Sequence, residues 1–264
     1  MLWQRVVTAV IGIPLILLVF YFAGVPLMIV SLVAAAMGIN EFIRLEKAMG
    51  LTPLAIWSYV IGLICLLFGI YLWHGQYFSL AMWVVFLASL AHFLVIFPKR
   101  NFSDLGATYL GGLYVGGLLS FLIRLREFHP EGWMLVILVF LLTWANDTGA
   151  FFIGSKFGKH RLSPKLSPKK SIEGFVGGLV FTVVTALVFG YLVYGSGYLM
   201  WVLLGCLVAV TGTMGDLLES AFKRLAQAKD SGNLIPGHGG LLDRLDSLLL
   251  VAPTVYYFVQ WFNL

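Results

Sequence analysis

The sequence predicts an all-α protein, a polytopic integral membrane bundle of about nine transmembrane helices with a cytoplasmic N-terminus. Composition gives the first reason, because 60% of the 264 residues are hydrophobic and 11% are charged, whereas soluble domains average about 25% charged residues. A soluble globule of this length could not cover so much apolar surface with a polar shell. These numbers exclude a soluble enzyme and a disordered chain, and the two cysteines exclude a disulfide scaffold.

The second observation is a series of apolar segments, each too long for a β-strand and without alternation of apolar and polar residues. They lie near residues 6–22, 25–40, 54–73, 77–97, 105–123, 132–154, 173–194, 198–222 and 244–262. The first follows Arg5 as a signal peptide would, but it leads directly into the next apolar run, which favours a retained helix. Gly112 and Gly116 have the small-xxx-small spacing that lets membrane helices approach closely.

The third observation is the distribution of basic residues. With the N-terminus in the cytoplasm and nine alternating helices, the cytoplasmic side receives all of the 17 Lys and Arg residues except Arg124 and Arg126. The net charge of +5 therefore indicates cytoplasmic loops and an anionic lipid surface, and no nucleic-acid partner is expected. We divide the chain into helices 1–5 (1–123) and a catalytic part with helices 6–9 (124–264), which carries the long cytoplasmic loops 155–172 and 223–243.

Four aspartates lie in or beside these apolar segments, although a charge inside a spanning segment is costly. They are Asp147, Asp216, Asp243 and Asp246, and the predicted topology places all four near the cytoplasmic side. Asp243 and Asp246 are three residues apart and share a helix face, as do Asp216, Ser220 and Lys223. If these faces meet, three carboxylates could surround Mg²⁺, and the basic loops beside them would suit phosphate.

This combination predicts a phosphoryl- or nucleotidyl-transfer site. Each acid also has a simpler interpretation: Asp243 and Asp246 suit a helix N-terminus, and Asp216 could pair with Lys223. An ion-coupled transporter would also explain buried acids, although it explains the basic loops less readily. The sequence contains neither Walker A spacing nor a GxGxxG motif, so any nucleotide site has another design.

Residues 220–246 read SAFKRLAQAKDSGNLIPGHGGLLDRLD, which resembles the signature of the phosphatidate cytidylyltransferase (CDP-diacylglycerol synthase) family. Every fixed position of that signature is matched, namely Ser220, Lys223, Arg224, Lys229, Asp230, Gly232, Pro236, His238, Gly239, Gly240, Asp243, Arg244 and Asp246. Residues 146–150 and 167–174 also resemble the family. The N-terminal half is similar only as a run of hydrophobic helices.

The resemblance implies that CTP and phosphatidic acid react to give CDP-diacylglycerol and pyrophosphate, in phospholipid biosynthesis. It implies metal binding by Asp216, Asp243 and Asp246, with Lys223 completing the catalytic set. Substrate contacts are implied for Asn146, Asp147, Lys169, Lys170, Ser171, Ser220, Arg224, Lys229, Asp230, His238, Gly239, Gly240 and Arg244. The implied cofactor is Mg²⁺ with a second cation such as K⁺, and a homodimer in the bacterial cytoplasmic membrane is expected.

Two alternatives stay open at this point. A CTP-dependent polyprenol or dolichol kinase would release CDP and a phosphorylated lipid. An ion-coupled transporter would move a substrate across the membrane without consuming CTP.

Overall fold

The computed structural model describes residues 2–70, 75–128, 131–195, 197–232 and 239–263. The chain divides into two compact units. The first unit comprises Met1–Pro130 and Phe222–Arg244, and the second comprises Glu131–Ala221 and Leu245–Leu264. The segment that carries most of the family signature therefore belongs to the first unit, although the chain reaches it only after passing through the second.

Helices account for almost all of the described residues, and their bounds are as follows. They are α1 (Leu2–Phe22), α2 (Gly24–Ala48), α3 (Ala55–Ile70), α4 (Gly75–Ile96), α5 (Phe102–Gly111), a π-helical segment (Gly112–Gly117), α6 (Leu118–Phe128), α7 (Gly132–Phe157), α8 (Ile172–Val193), α9 (Tyr198–Leu225) and α10 (Leu242–Phe262). Strands β1 (Arg161–Ser163) and β2 (Ser167–Ser171) form an antiparallel hairpin between α7 and α8.

Seven helical segments in the described residues are long and apolar enough to cross a membrane. They are Gly24–Ala48, Gln76–Ile96, Phe102–Phe128, Gly132–Phe157, Ile172–Val193, Tyr198–Leu225 and Leu242–Phe262, and Ala55–Phe68 is a shorter apolar helix. An all-α, polytopic membrane protein is thus confirmed, while the count of nine spans and the cytoplasmic N-terminus stay predictions. The predicted end of the second segment at residue 40 was wrong, because α2 continues to Ala48. Its last two turns contain Glu41, which accepts hydrogen bonds from the N–H groups of Leu241 and Leu242.

Close backbone contact holds the first unit together at α3 and the π-helical segment. A Cβ on Gly116 would overlap Gly62 of α3, and a Cβ on Gly112 would come within 2.7 Å of the Ser58 carbonyl oxygen. The small-xxx-small spacing of Gly112 and Gly116 thus lies where the π-helical segment and α3 approach closely.

An aromatic cluster joins the C-terminal segment of the first unit to its N-terminal helices. Phe222 packs against Phe42 of α2 and Tyr114 of the π-helical segment, with ring centroids 5.0 Å and 5.4 Å apart. Burying three aromatic side chains together is among the larger sources of packing energy in a small unit.

Small residues likewise bring together the helices of the second unit. A Cβ on Gly149 of α7 would lie 2.6 Å from the Gly177 carbonyl oxygen of α8, and a Cβ on Gly205 of α9 would lie 2.6 Å from the Val183 Cα. A Cβ on Gly215 would overlap the carbonyl oxygen of Asp246. These contacts bring α10 against α9 and leave α7, α8 and α9 close enough to enclose a cavity.

Candidate active site

A cavity of about 470 Å³ lies in the second unit, among α7, β2, α8 and α9. Its polar lining comes from Asn146, Asp147, Ser155, Lys169, Lys170, Ser171, Thr213 and Asp216. Six of these eight were predicted from the sequence as site residues. The structure thus brings the stretch at 146–150, the stretch at 167–174 and one of the predicted metal ligands to one place.

Asn146 is held at the cavity between two glycines. Gly178 of α8 and Gly212 of α9 leave room for its side chain, since a Cβ on Gly178 would come within 2.6 Å of Asn146 Oδ1 and one on Gly212 within 3.3 Å of Nδ2. The residue is only 3% exposed, and Oδ1 accepts no hydrogen bond from the described part of the chain. A buried amide oxygen without a donor is costly, which points to a ligand as its partner.

The hairpin forms one wall of the cavity and is fastened at its base. Glu173, in the first turn of α8, accepts hydrogen bonds from the backbone N–H groups of Lys159 (3.0 Å) and His160 (3.2 Å) and contacts His160 Nδ1 at 2.6 Å. Ser171 caps α8 by accepting a hydrogen bond from the Gly174 N–H (3.1 Å). The exposed Lys169 and half-buried Lys170 are therefore presented on a fixed strand.

Lys170 forms an ion pair with Asp216 of α9, and this contact connects the hairpin to the helix. Ser220 Oγ, one turn further along α9, lies 3.5 Å from Asp216 Oδ1. The structure therefore gives Asp216 a lysine partner from the hairpin, whereas spacing had suggested Lys223. Lys223 instead belongs to the first unit.

A second group of predicted residues surrounds Asp243 in the first unit. Lys223 Nζ donates to Asp243 Oδ1 at 2.7 Å, and the side chains of these two residues are 17% and 6% exposed. Asp243 Oδ2 accepts hydrogen bonds from the Ser231 N–H (2.9 Å), the Gly240 N–H (2.9 Å) and Ser231 Oγ (3.0 Å). Both oxygens of this carboxylate thus organise the start of α10 and the segment before it.

Comparison with known proteins shows the family to which the chain is similar. Residues 3–262 match the model of the cytidylyltransferase family. The chain is 31% identical to phosphatidate cytidylyltransferase of Bacillus subtilis (strain 168), over 98% of both chains. It is 35% identical to the phosphatidate cytidylyltransferase of Synechocystis sp. (97% of this chain, 96% of the relative), and 34% identical to that of Staphylococcus aureus (strain COL) (94% and 95%).

The chain belongs to the phosphatidate cytidylyltransferase family. The resemblance stated for residues 220–246 is confirmed, and it extends over nearly the whole chain. The protein is accordingly a nucleotidyltransferase and an integral membrane enzyme of phospholipid synthesis.

The remaining signature residues of this cytidylyltransferase differ in their exposure. Arg224, Lys229, Asp230 and Arg244 are exposed, and His238 lies outside the described residues.

Gly239 has a positive φ of 83°, which favours glycine, and a Cβ there would also come within 2.8 Å of Asp243 Oδ2. Asp246 is half-buried in the second unit, and its Oδ1 accepts a hydrogen bond from the Ser247 N–H (2.6 Å).

Glu41 of α2 is a functional candidate that sequence reasoning missed. Its carboxylate is completely buried and accepts hydrogen bonds from the N–H groups of Leu241 (2.9 Å) and Leu242 (2.9 Å). Ser231 Oγ also lies 3.1 Å from Glu41 Oε2. Glu41 of α2, remote in sequence, thus caps the N-terminus of α10, where the backbone N–H groups have no partner within the helix. The sequence feature that could have identified Glu41 is its position directly after an apolar segment, in the sequence NEFIRL.

Proposed function

We propose that this protein is a phosphatidate cytidylyltransferase, which converts CTP and phosphatidic acid to CDP-diacylglycerol and pyrophosphate at the cytoplasmic face of the membrane. The observation that carries the proposal is the cavity of the second unit. There Asn146, Asp147, Lys170 and Asp216 meet in a chain that belongs to this family. Its relatives bear the name of this reaction.

The reaction is a substitution at the α-phosphorus of CTP. A lone pair on a phosphate oxygen of phosphatidic acid forms the new P–O bond, and the bond from the α-phosphorus to the bridging oxygen of the β-phosphate breaks. Pyrophosphate leaves with that electron pair. A phosphate monoester is already largely ionised at pH 7, so the attacking oxygen needs no general base.

The chain's own residues supply charge neutralisation and positioning. Lys169 and Lys170 present ammonium groups at the cavity, where they would bind the triphosphate. Asn146 Oδ1, buried without a donor, would accept a hydrogen bond from the nucleotide or coordinate a cation. In the first unit, Lys223 with Arg224, Lys229 and Arg244 would bind phosphates of either substrate, and the Gly239–Gly240 backbone would approach them.

The residues at the cavity suit Mg²⁺. Within the described residues, no group of three or more His, Cys, Asp or Glu side chains is gathered in one place. Mg²⁺ does not need one, since it usually keeps several waters and binds one or two carboxylates together with substrate phosphates. Asp216 and Asp147 offer such oxygens at the cavity. We propose Asp243 and Asp246 as further metal ligands and K⁺ as the second cation. Bound Mg²⁺ would neutralise the triphosphate and favour departure of pyrophosphate.

The test is release of pyrophosphate from CTP by the purified full-length protein, with and without phosphatidic acid and with and without Mg²⁺. We expect release only when lipid and metal are both present. Release without phosphatidic acid, or none under any condition, would contradict the proposal.

CTP labelled at the α-phosphorus separates the alternatives. A cytidylyltransferase transfers this label to lipid, whereas a polyprenol kinase leaves it in CDP. A transporter would consume no CTP and would instead move a substrate across sealed vesicles. The expected homodimer stays a prediction, to be checked by the mass of the protein in detergent.

A further inference from the structure

A second cavity lies in the first unit, and its lining contains no residue assigned to the reaction. Its volume is about 780 Å³, within the range typical of ligand sites. The connection between α2 and α3 and the end of α4 form its walls. None of the predicted site residues lines it.

Hydrogen bonds hold the walls of this cavity in place. Asp104, near the start of α5, accepts hydrogen bonds from the Thr52 N–H (2.6 Å) and from the Asn101 N–H (2.9 Å). Thr108 Oγ1 accepts a further one from the Leu54 N–H (2.8 Å). The connections before α3 and before α5 are therefore fastened to the same helix.

Three cationic side chains line the cavity, namely Lys47, Lys99 and Arg100. Lys47 and Lys99 are exposed and Arg100 is half-buried. In the described ranges of the chain, none of the three forms an ion pair with a carboxylate. Asp104, four residues after Arg100, attracts that guanidinium electrostatically without forming an ion pair, and its carboxylate accepts the two backbone N–H groups. The lining thus attracts anions.

The same cavity has an apolar side. Leu51, Pro53 and Ile56 line it from the α3 end and Ile96 from the α4 end, and Ile56 is 64% exposed. Trp57 Nε1 donates to Nδ1 of His92, another lining residue, at 2.9 Å, which fixes this part of the wall. A free phosphate ion would leave the apolar side in water, whereas a phospholipid would satisfy both kinds of surface.

We propose that this cavity binds the headgroup of an anionic phospholipid, with its phosphate at Lys47, Lys99 and Arg100 and the start of its acyl chains against Ile56 and Ile96. Basic pockets between membrane helices are suited to lipid phosphates. The proposal does not depend on the proposed reaction, because no residue of this cavity belongs to the candidate active site.

The test uses phosphatidylglycerol, an anionic phosphodiester lipid that lacks the monoester phosphate proposed to react. Native mass spectrometry of the full-length protein would count lipids bound during titration with phosphatidylglycerol, with phosphatidylcholine and with inorganic phosphate. The variants are Lys99→Gln, Arg100→Gln and the triple variant with Lys47→Gln. Arg44→Gln is the control, because Arg44 is an exposed cation one turn before Lys47 and does not line the cavity.

We expect one tightly bound phosphatidylglycerol in the unaltered protein and a loss of affinity of roughly fivefold for each cation removed. Arg44→Gln should stay within about twofold, because only charges inside the cavity face the ligand's phosphate. An equal loss in Arg44→Gln would show a general surface effect and overturn the proposal. Equal binding of phosphatidylcholine, or displacement of phosphatidylglycerol by equimolar inorganic phosphate, would also overturn it. All four residues reach the surface, and unchanged melting temperatures would verify folding.

Discussion

At the scale of single residues, Glu41 has the sharpest consequence. Glu41→Gln keeps the size of the side chain but removes the charge that the Leu241 and Leu242 N–H groups share. Leaving a buried donor unsatisfied costs about 1–3 kcal/mol, so we expect a lower melting temperature and at least a tenfold loss of pyrophosphate release. Glu127→Gln, at an exposed glutamate of the same unit, is the control. Equal behaviour of the two variants would contradict the role given to Glu41.

Asp246 provides a test of the proposed metal site. Asp246→Asn removes one negative charge while keeping the shape of a half-buried side chain. We expect the variant to insert and purify normally but to lose turnover, because a neutral amide is a weak ligand for Mg²⁺. Pyrophosphate release across a Mg²⁺ titration measures this, with the exposed Glu131→Gln as control. Near-normal activity of this variant would show that Asp246 is not a metal ligand.

The sequence predicted some site residues better than others, for a physical reason. Asp147 and Asp216 were predicted because a charge at the end of an apolar segment is costly, and both do line the cavity. Glu41 was missed because its partners, Leu241 and Leu242, are 200 and 201 residues away. No local pattern reports such a contact, so an acid after an apolar segment looks like an ordinary helix end.

At the scale of elements, the hairpin matters because it brings Lys170 to Asp216. Lys170→Gln should raise the KM for CTP and lower kcat/KM at least tenfold, because the variant loses an ammonium that is proposed to bind phosphate through charge-assisted hydrogen bonds. Lys165→Gln is the matched control, since Lys165 is an exposed lysine in the turn of the same hairpin. Activity would be measured as pyrophosphate release at varied CTP. A similar change in both variants would argue for a general charge effect.

The helices and the hairpin differ in how far the sequence predicts them. Each long helix overlaps an apolar segment, because membrane insertion depends on the sum of many side chains. The hairpin was predicted only as a loop, because its strands have three and five residues and Pro168 lies within the second. Glu173 and His160 hold its base, and such a contact leaves no periodic signal. The π-helical turn at Gly112–Gly117 also depends on packing against α3.

At the scale of the whole molecule, composition predicted a membrane protein, since a soluble globule of this length could not cover so much apolar surface with polar residues. It did not predict that residues 222–244 belong to a unit with the N-terminal helices. That grouping depends on Phe222 packing against Phe42 and on Glu41 capping α10. Both contacts join parts of the chain that are remote in sequence, which a reading of consecutive segments does not detect.

The distribution of basic residues predicts how the whole molecule is oriented in the membrane, which an experiment can test. With nine spans and a cytoplasmic N-terminus, Lys165 faces the cytoplasm and Glu131 the opposite side, because all basic residues except Arg124 and Arg126 then lie inside. A membrane-impermeant maleimide should label Lys165→Cys only in inside-out vesicles and Glu131→Cys only in right-side-out vesicles. Both positions are exposed, so failure to label would not be due to burial.

The background for this experiment is a variant in which Cys65 and Cys206 are replaced by serine, so that only the introduced thiol reacts. Tags at the two termini complete the test, since an odd number of spans places them on opposite sides of the membrane. Labelling of Lys165→Cys from outside would reverse the orientation. Both termini on one side would contradict nine spans. The expected pattern would place the hairpin lysines on the side where CTP is available, as the proposed reaction requires.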